Sequence, residues 1–447
     1  MKSNVLKLWC LALVVAMTFL TACGTKNDDG SKTPHGEQEG GNGQETSIEL
    51  NFMHFNVKES SEGGTLAFYD AMEMFKDNNP NIEIEEEILG HDAYETKIKT
   101  LAAANELPDL FVIKGSMVSA FVESGLINPV NDILEQAPAW KDGFMDGVFN
   151  DFKMGDNIYA LPYSNKSTHI IYYNEDIFEE CGITSFPASW EGFKDAVGKI
   201  RDKGYTPIAL GNKGKWVVGS CILSTLGDRF TGTDWFMSIK DRKGAKFTEP
   251  EFVDALAAVQ ELAVMGAFNA DMNSIDNMQH KTLYYGGKAA MFFEGAWAIS
   301  SISEDAPQEI ADVTKLAILP AVEGGKGDAK AVSAGAGWGY NMNAELQGEK
   351  KQAAVEVFKA LTDEKQAKIS MEYNAMPASN PGEYDESKLT PLFKQYADIM
   401  AEAKSVPVYD VQLEPAVIEV MNSGLQELLI QATTPEELAK KIQKEYE

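Results

Sequence analysis

The chain has 447 residues, of which 44% are hydrophobic and 24% charged, and 68 acidic against 39 basic residues give a formal net charge of −29. So acidic a chain lacks the positive surface that nucleic-acid phosphates or anionic lipid headgroups require, which excludes binding to either through protein charge. The 10% aromatic content and the lack of a short repeat exclude collagen-like, coiled-coil and fully disordered chains.

Residues 1–22 have the pattern of an export signal. Lys2 and Lys7 form a positively charged region before the uncharged, mostly apolar run 8–20, which is too short to cross a hydrocarbon core of ~30 Å as a helix. The run ends in Leu20-Thr21-Ala22-Cys23-Gly24, which resembles the bacterial lipobox. We therefore expect cleavage before Cys23 and lipidation of Cys23. An ordinary signal peptide cut nearby is the alternative.

Residues 23–46 are predicted to form a flexible tether, because they contain almost no apolar side chain that could offset the entropy of ordering. The expected result is a globular body held outside the cell membrane by a lipid and this tether. Only Cys181 and Cys221 then remain in the body, and two cysteines do not make a disulfide framework. Two buried free thiols are the favoured interpretation, with a disulfide as the alternative.

The globular part begins with alternating strand and helix patterns. The predicted order is strand, helix, strand, helix and strand, with apolar markers at Ile48–Phe52, Phe68–Phe75, Ile82–Ile88, Tyr94–Asn105 and Leu110–Ile113. This order predicts parallel strands joined by right-handed crossovers. The last of these runs is wholly apolar, which is typical of a strand buried on both faces.

A second α/β section is predicted from about residue 170 to 331, with apolar strands at 289–293 and 316–319 and a helix carrying Phe252, Leu256 and Val259. The C-terminal third has helical periodicity. Pro415 is placed to begin one helix, and Thr434, Pro435 and Glu437 form the pattern of a capping box at the last helix. Two α/β lobes with terminal helices account for the whole pattern.

Motifs of common catalytic machinery are missing from the sequence. There is no phosphate-binding loop, dinucleotide fingerprint, zinc-protease helix or serine-nucleophile elbow. The five histidines have no metal-ligand spacing on one helix. We therefore expect no metal, no cofactor and no catalytic residue. The alternative is a pair of carboxylates distant in sequence, as in glycoside hydrolases.

Three tryptophans beside glycine-rich turns are the strongest candidates for ligand binding. They are Trp216 after Gly211–Lys215, Trp297 in the segment Phe293–Trp297, and Trp338 after Gly335–Gly337. A flat indole can lie on the apolar face of a sugar ring while neighbouring polar groups, such as Glu294, bind its hydroxyls. The alternative for each indole is that it fills a lobe core from a loop. Trp140, Trp190 and Trp235 lack the glycine context and are assigned to structure.

Five further residues are candidates for ligand contact. His54 ends the first strand, at the sheet edge where α/β proteins bind ligands, although a structural histidine fits equally well. Lys114 and Ser116 follow the buried strand and open a helix, where Ser116 has the alternative role of an N-cap. Tyr163 and Asn165 combine aromatic and polar character, with a β-turn that exposes the tyrosine as the alternative.

With these residues in view, the mature chain resembles the extracellular solute-binding proteins of bacterial ABC importers, in the carbohydrate-binding group related to maltose-binding protein. The resemblance lies in the order and spacing of several segments, namely 108–111, 124–130, 159–163, 171–174, 186–193, 287–297 and 375–378. It implies an α/β fold of the two-lobe periplasmic-binding-protein type (type II), with crossing hinge segments near Ile170–Tyr173 and Ala331–Gly335. The implied lobes are residues 47–169 with 334–380, and residues 170–333 with 381–447.

The resemblance also implies the function. A sugar or oligosaccharide is captured in the cleft by hinge closure and delivered to the membrane permease and its ATPase, and the binding protein is a monomer and not an enzyme. The family places sugar-contacting aromatics at the positions of Trp297 and Trp216, and polar contacts around Lys114 to Ser116. The alternatives are an exported carbohydrate hydrolase that uses Glu294, or the same scaffold binding a polyamine or peptide.

Overall fold

The computed structural model describes residues 47–165 and 169–447. The predicted signal peptide, the tether and Cys23 lie outside these residues. The strands are β1 (Ile48–His54), β2 (Ile82–Ile88), β3 (Leu110–Lys114), β4 (Lys153–Met154), β5 (Asn157–Ile158), β6 (Leu161–Pro162), β7 (His169–Asn174), β8 (Thr206–Ala209), β9 (Ala289–Gly295), β10 (Thr314–Ala317), β11 (Ala331–Ser333), β12 (Trp338–Met342) and β13 (Lys404–Val406).

The helices surround these strands. They are α1 (Gly63–Asn78), α2 (His91–Ala104), α3 (Val118–Glu123), α4 (Asn131–Glu135), α5 (Pro138–Gly143), α6 (Glu175–Glu180), α7 (Trp190–Asp202), α8 (Ser224–Thr231), α9 (Thr233–Lys240), α10 (Pro250–Val264), α11 (Asn277–Tyr285), α12 (Ala298–Asp305), α13 (Gln308–Ala311), α14 (Gly348–Ala360), α15 (Glu364–Glu372), α16 (Pro391–Glu402), α17 (Tyr409–Gln412), α18 (Pro415–Leu429) and α19 (Pro435–Tyr446). Val218–Leu223 forms a π-helix that leads directly into α8, and Gly115–Met117 forms a 3₁₀ turn. Within the described chain no helix is long and apolar enough to cross a membrane.

The first lobe is built on a five-stranded sheet with the order β2-β1-β3-β12-β6. Strands β2 and β3 are parallel to β1, as the strand and helix pattern predicted, whereas β12 arrives from a distant part of the chain and is antiparallel to β3. All five residues of β3 are buried, which accounts for its apolar sequence. Helices α1 and α14 pack on β1 and on each other, and they close one face of the core.

The second lobe is built on a four-stranded sheet with the order β10-β7-β9-β8. Strand β9 is buried along its whole length between β7 and β8. The hydrophobic core of this lobe contains side chains from α7, α10 and the π-helix. Strand β10 begins and ends two residues earlier than the apolar run predicted. Helices α18 and α19 pack on α10, so the C-terminal helices belong to this core.

The chain passes between the two sheets more than once. It leaves the first sheet after β6 and enters the second at β7, and it returns between β11 and β12. The crossing expected near Ile170–Tyr173 therefore falls inside β7, a strand of the second lobe. Strands β11 and β13 pair in parallel beside the return crossing, and the amide of Ala334 continues their ladder by donating to the carbonyl of Val406. The lobe boundaries given above stay a prediction.

Two local predictions are confirmed. The side chain of Thr434 accepts from the amide of Glu437 and the side chain of Glu437 accepts in return from the amide of Thr434, so α19 begins with the predicted capping box. Cys181 and Cys221 are both buried and free. Trp140, Trp190 and Trp235, which were assigned to structure, are all buried in lobe cores.

Candidate functional site

A cavity of about 510 Å³ lies where the two lobes face each other. Its wall takes residues from both sheets and from the segments between them. On the side of the first lobe the wall includes Phe55, Glu62, His91, Asp92, Lys114 and Trp338, and on the side of the second lobe it includes His169, Trp216, Ser220, Asn277 and Trp297. Asp410 of α17 also borders the cavity, and α17 packs on both the 3₁₀ turn after β3 and the π-helix. The cavity therefore depends on both lobes.

Aromatic rings form a continuous wall that crosses from one lobe to the other. The ring centroids of Trp338 and His91 are 5.5 Å apart, those of His91 and Trp216 are 5.4 Å apart, and those of Trp216 and Trp297 are 6.1 Å apart. Trp338 is buried, whereas Trp216 and Trp297 are partly exposed, so apolar ring surface remains open to the cavity. Such a wall suits a ligand with flat apolar faces.

Glycine residues permit the positions of these indoles. A Cβ on Gly295 would lie 1.9 Å from Cζ3 of Trp297, so the indole folds over a backbone that only glycine provides. Trp297 lies in the turn between β9 and α12, and its backbone angles are already those of an α-helix. Trp338, by contrast, is the first residue of β12 and not part of a turn. The predicted association of glycine with tryptophan is thus structural at Trp297.

Trp216 is held from the opposite lobe. Its Nε1–H donates to Oδ1 of Asp92 at 3.2 Å. The carboxylate of Asp92 also bonds Nδ1 of His91 at 3.1 Å, and these bonds with His91 and Trp216 lower its pKa despite partial burial. A Cβ on Gly214 would lie 2.4 Å from Oδ2 of Asp92, so a glycine lets the two lobes approach at this point.

A buried ion pair lies at another part of the wall. Nζ of Lys114 donates to Oδ2 of Asp410 at 2.7 Å, and Oε2 of Glu95 is 3.9 Å away. Burial opposes the charge on Lys114, but the carboxylates of Asp410 and Glu95 outweigh it and raise its pKa. The ammonium lies 5.9 Å from the ring centroid of Trp338. The end of β3 was predicted to contribute polar contacts, and its residue Lys114 borders the cavity.

His169 forms a hydrogen-bond chain behind the same part of the wall. Its Nδ1 lies 2.8 Å from Oγ of Ser333, and its Nε2 lies 3.3 Å from Oγ of Ser220. Burial lowers the pKa of His169 to about 4, so the imidazole is neutral at pH 7. The ring meets Trp297 edge to face, with centroids 5.8 Å apart.

The structure brings four of the nine predicted ligand-binding residues into the cavity wall. These are Lys114, Trp216, Trp297 and Trp338. The other five are not part of it. His54 is fully buried, its Nε2 is 3.2 Å from Oε2 of Glu86, and its Nδ1 accepts from the amide of Asn56. It therefore has the structural environment that was the alternative, because its ring turns into the core beside Phe68.

Ser116, Tyr163 and Asn165 lie near the cleft segments but outside the wall. Ser116 sits in the 3₁₀ turn, and no side chain caps that turn or the start of α3, so the N-cap alternative for Ser116 is wrong. Tyr163 is buried against Tyr340 with centroids 4.8 Å apart, which contradicts the exposed β-turn alternative. The amide of Asn165 donates to the carbonyl of Met376.

Glu294 is fully buried behind the wall. Its Oε1 accepts from Nδ2 of Asn277 at 3.1 Å, and Nε2 of His280 is 3.4 Å away. Burial raises the pKa of Glu294 to about 7 and lowers that of His280. Glu294 thus reaches the cavity only through Asn277, which does border it. The described residues contain no group of three or more His, Cys, Asp and Glu side chains arranged to hold a metal ion.

Sequence reasoning missed several residues of the wall. Asp410, Ser220, His91 and Asp92 stand in segments without a glycine-rich or aromatic motif of their own. The only available signal was for His91 and Asp92, which follow a predicted strand through a glycine and open a helix. Asp410 and Lys114 are 296 positions apart in sequence, and nothing local indicates that they meet.

Comparison with known proteins gives the class of protein to which this fold and cavity belong. The family model of bacterial extracellular solute-binding proteins matches residues 60–368, and the chain belongs to this family. Membership places the protein outside the cytoplasm. Three Brucella proteins named as binding proteins are 23% identical over 274 residues, and a mannitol-binding protein of Pseudomonas aeruginosa is 23% identical over 252 residues. The chain spans 62% of the length of the former and 56% of the latter.

Solved structures match over more of the chain. One, from work on xylan utilization by Caldanaerobius polysaccharolyticus, is 28% identical with a TM-score of 0.80, and covers 89% of this chain and 99% of its own. A chitin oligosaccharide binding protein is 25% identical with a TM-score of 0.81, and covers 89% of this chain and 98% of its own. These matches confirm the two-lobe fold that the resemblance implied.

Proposed function

We propose that this protein is the extracytoplasmic substrate-binding component of an ABC importer and that it captures an uncharged sugar or oligosaccharide in the cavity between its lobes. The observation that carries the proposal is the aromatic wall from Trp338 through His91 and Trp216 to Trp297, which spans both lobes. The similar structures connected with xylan and with chitin oligosaccharides support it.

The proposed mechanism is capture by closure. A ligand that contacts both lobes favours the closed form by the contacts it makes only in that form. Sugar rings would stack on Trp216 and Trp297, and their hydroxyls would bond Lys114 and other polar groups of the wall. The membrane permease and its ATPase would then recognise the closed form. In this proposal the binding protein itself is a monomer and carries out no reaction.

A ligand screen with two tryptophan variants tests this function. We expect xylotriose, triacetylchitotriose or maltotriose to raise the melting temperature, because a ligand of the native state stabilises it by mass action. Trp297→Ala should lower affinity about 30-fold or more in calorimetric titration, as truncating a central aromatic contact costs ~2 kcal/mol or more. Trp190→Ala, in the core of the second lobe, is the matched control that lowers stability but not affinity. Unchanged affinity in Trp297→Ala would reject the site.

A polyamine is the second candidate ligand, because the wall contains more carboxylates than ammonium groups. The acidic wall residues are Glu59, Glu62, Asp92, Asp276 and Asp410. Three of them are already engaged: Asp92 by Trp216, Asp276 in the capping box of α11, and Asp410 by Lys114. These bonds occupy acceptor oxygens that a polycation would need, and the aromatic wall offers flat apolar faces, so the neutral ligand is favoured. Titration with spermidine separates the two.

The hydrolase alternative needs Glu294 to face the scissile bond together with a second carboxylate. Its burial behind Asn277 supports binding instead. Incubation with the trisaccharide that binds, followed by chromatography, tests this point. Intact trisaccharide is expected, and its cleavage would favour the hydrolase.

We also propose that the protein is anchored to the cell membrane through a lipid on Cys23, on the strength of the lipobox-like sequence. The matched pair for this test is the native chain and Cys23→Ser, expressed in a bacterial host. Mass spectrometry of the N-terminal peptide should find diacylglycerol on the cysteine. The variant should leave the membrane fraction, and retention of both proteins there would contradict the anchor.

A further inference from the structure

One carboxylate oxygen at the cavity has no hydrogen-bond partner. Asp410 is buried and borders the cavity, and its Oδ2 receives the ammonium of Lys114 at 2.7 Å, while its Oδ1 is buried and unpartnered among the described residues. A buried carboxylate oxygen without a donor is unfavourable, because its lost hydration is not replaced. A donor supplied by a ligand would remove this cost. Lys114 borders the same cavity and has N–H groups left to donate.

A hydroxyl group lies on the neighbouring segment. Thr225 accepts from the amide of Ser333 at its Oγ1 and donates its own hydroxyl to Oγ of Ser333. Nδ1 of His169 lies 2.8 Å from Oγ of Ser333 and its Nε2 lies 3.3 Å from Oγ of Ser220, so the imidazole links the two serines. Ser220 also borders the cavity, and this chain of hydrogen bonds holds its hydroxyl in place there.

These groups lie beside the aromatic wall. The ammonium of Lys114 is 5.9 Å from the ring centroid of Trp338, and His169, which bonds Ser220, meets the edge of Trp297. The helices that carry Asp410 and Ser220 pack on each other. An acceptor, an ammonium group and a hydroxyl therefore lie beside two indoles that offer flat surfaces.

We infer that Asp410, Lys114 and Ser220 form a subsite for two adjacent free hydroxyls on the terminal ring of an uncharged glycan. One hydroxyl donates to Oδ1 of Asp410 and accepts from Nζ of Lys114, and its neighbour forms a hydrogen bond with the hydroxyl of Ser220. A sugar hydroxyl both donates and accepts, which matches this alternation. A carboxylate or phosphate at this ring cannot donate to Oδ1 of Asp410 and would leave that buried oxygen without a partner, so the subsite selects neutral terminal units. The inference rests on the proposed function and narrows its substrate class.

The test combines ligand analogues with an isosteric variant. The probe is whichever of xylotriose, triacetylchitotriose and maltotriose binds most tightly, together with its analogues that lack one hydroxyl of a terminal ring. We expect one adjacent pair of hydroxyls for which each deletion weakens binding to the native protein at least about tenfold. In Asp410→Asn this penalty should fall to about threefold or less for the hydroxyl that donates to Asp410. Asp195→Asn, in an exposed ion pair with Lys199, is the matched control and should keep the full penalty.

The outcomes separate this inference from the proposed function. If no trisaccharide binds, the proposed function fails. If one binds and the penalty is the same in Asp410→Asn as in the native protein, Asp410 acts only through structure and the subsite is rejected. A second test uses only the native protein and therefore does not depend on whether Asp410→Asn folds. Oxidation of that terminal unit to a uronic acid should weaken binding at least about tenfold, and equal or tighter binding would overturn the inference.

Discussion

The indole of Trp216, in the second lobe, donates its N–H across the cleft to the carboxylate of Asp92 in the first, with 3.2 Å between Nε1 and Oδ1. The bond exists only while the lobes are together. It therefore contributes to the free energy of closure and hence to the affinity for any ligand held between the lobes. The imidazole of His91, which bonds the same carboxylate and lies tilted against the same indole with ring centroids 5.4 Å apart, reinforces the contact.

Replacing Trp216 by Phe should lower affinity for the bound trisaccharide about threefold to tenfold. The ring surface is largely kept, but the N–H that bonds Asp92 is lost, and such a bond is worth about 0.5–1.5 kcal/mol. Calorimetric titration measures the change. Trp140→Phe is the matched control, because it removes an indole bond to Thr362 inside the first lobe. It should lower stability and leave affinity unchanged. Equal affinities for Trp216→Phe and the native protein would show that the bond does not support closure.

Gly295→Ala should weaken sugar binding at least about tenfold although every aromatic residue is kept. The new methyl group would lie 1.9 Å from Cζ3 of Trp297, so the indole must leave its position. Gly198→Ala serves as the control, because no atom lies within 4 Å of its added methyl group and helical alanine is more stable by roughly 0.5–1 kcal/mol. Its affinity should not change. Native affinity in Gly295→Ala would mean that the position of this indole does not matter for binding.

Ser300→Ala should reduce affinity about fivefold by weakening closure at a second contact. The hydroxyl of Ser300, in α12 of the second lobe, accepts from the amide of Gly63 at the start of α1, with 2.6 Å between the two atoms. Without it this buried amide lacks a partner, at a cost of about 1–3 kcal/mol in the closed form. Ser303→Ala, on the exposed face of the same helix, should bind like the native protein. An identical result for the two serine variants would exclude this contact from closure.

Glu294→Gln should become progressively more stable than the native protein as the pH rises from 5 to 8. Burial raises the pKa of Glu294 from 4.5 to about 7, so the folded state holds its proton more tightly than the unfolded state. The favourable contribution of the protonated form is complete below pH 4.5 and is lost as the pH rises through 7. The glutamine has no such loss. Thermal melts at several pH values, with the exposed Glu135→Gln as control, measure the difference. A gap that does not change with pH would contradict the assignment.

The elements that the sequence predicted well are those whose signals are local. The all-apolar run of β3 and the capping box of α19 each need only a few neighbouring residues, and both are present in the structure. The glycine before Trp297 was also a local signal, because its missing side chain is what allows the indole to fold back.

The parts that could not be predicted depend on contacts between distant segments. Lys114 meets Asp410, and Asp92 meets Trp216, only because the chain crosses between the lobes, and no pattern in either segment specifies its partner. His54 shows the opposite error. It ends a strand at the sheet edge where ligands bind in many α/β proteins, but its ring packs on Phe68 under α1 and pairs with Glu86, so it lies away from the cavity.

The π-helix Val218–Leu223 ties the position of Ser220 at the cleft to the packing of the second lobe. A π-turn holds one residue more than an α-turn, so deletion of one residue before Ser220 would return the segment to α-helical register and turn Ser220 about the helix axis. All six residues of the segment are buried, and Val218, Cys221, Ile222 and Leu223 pack in the core beside β9. A change of register here would therefore alter the cleft and the lobe core together.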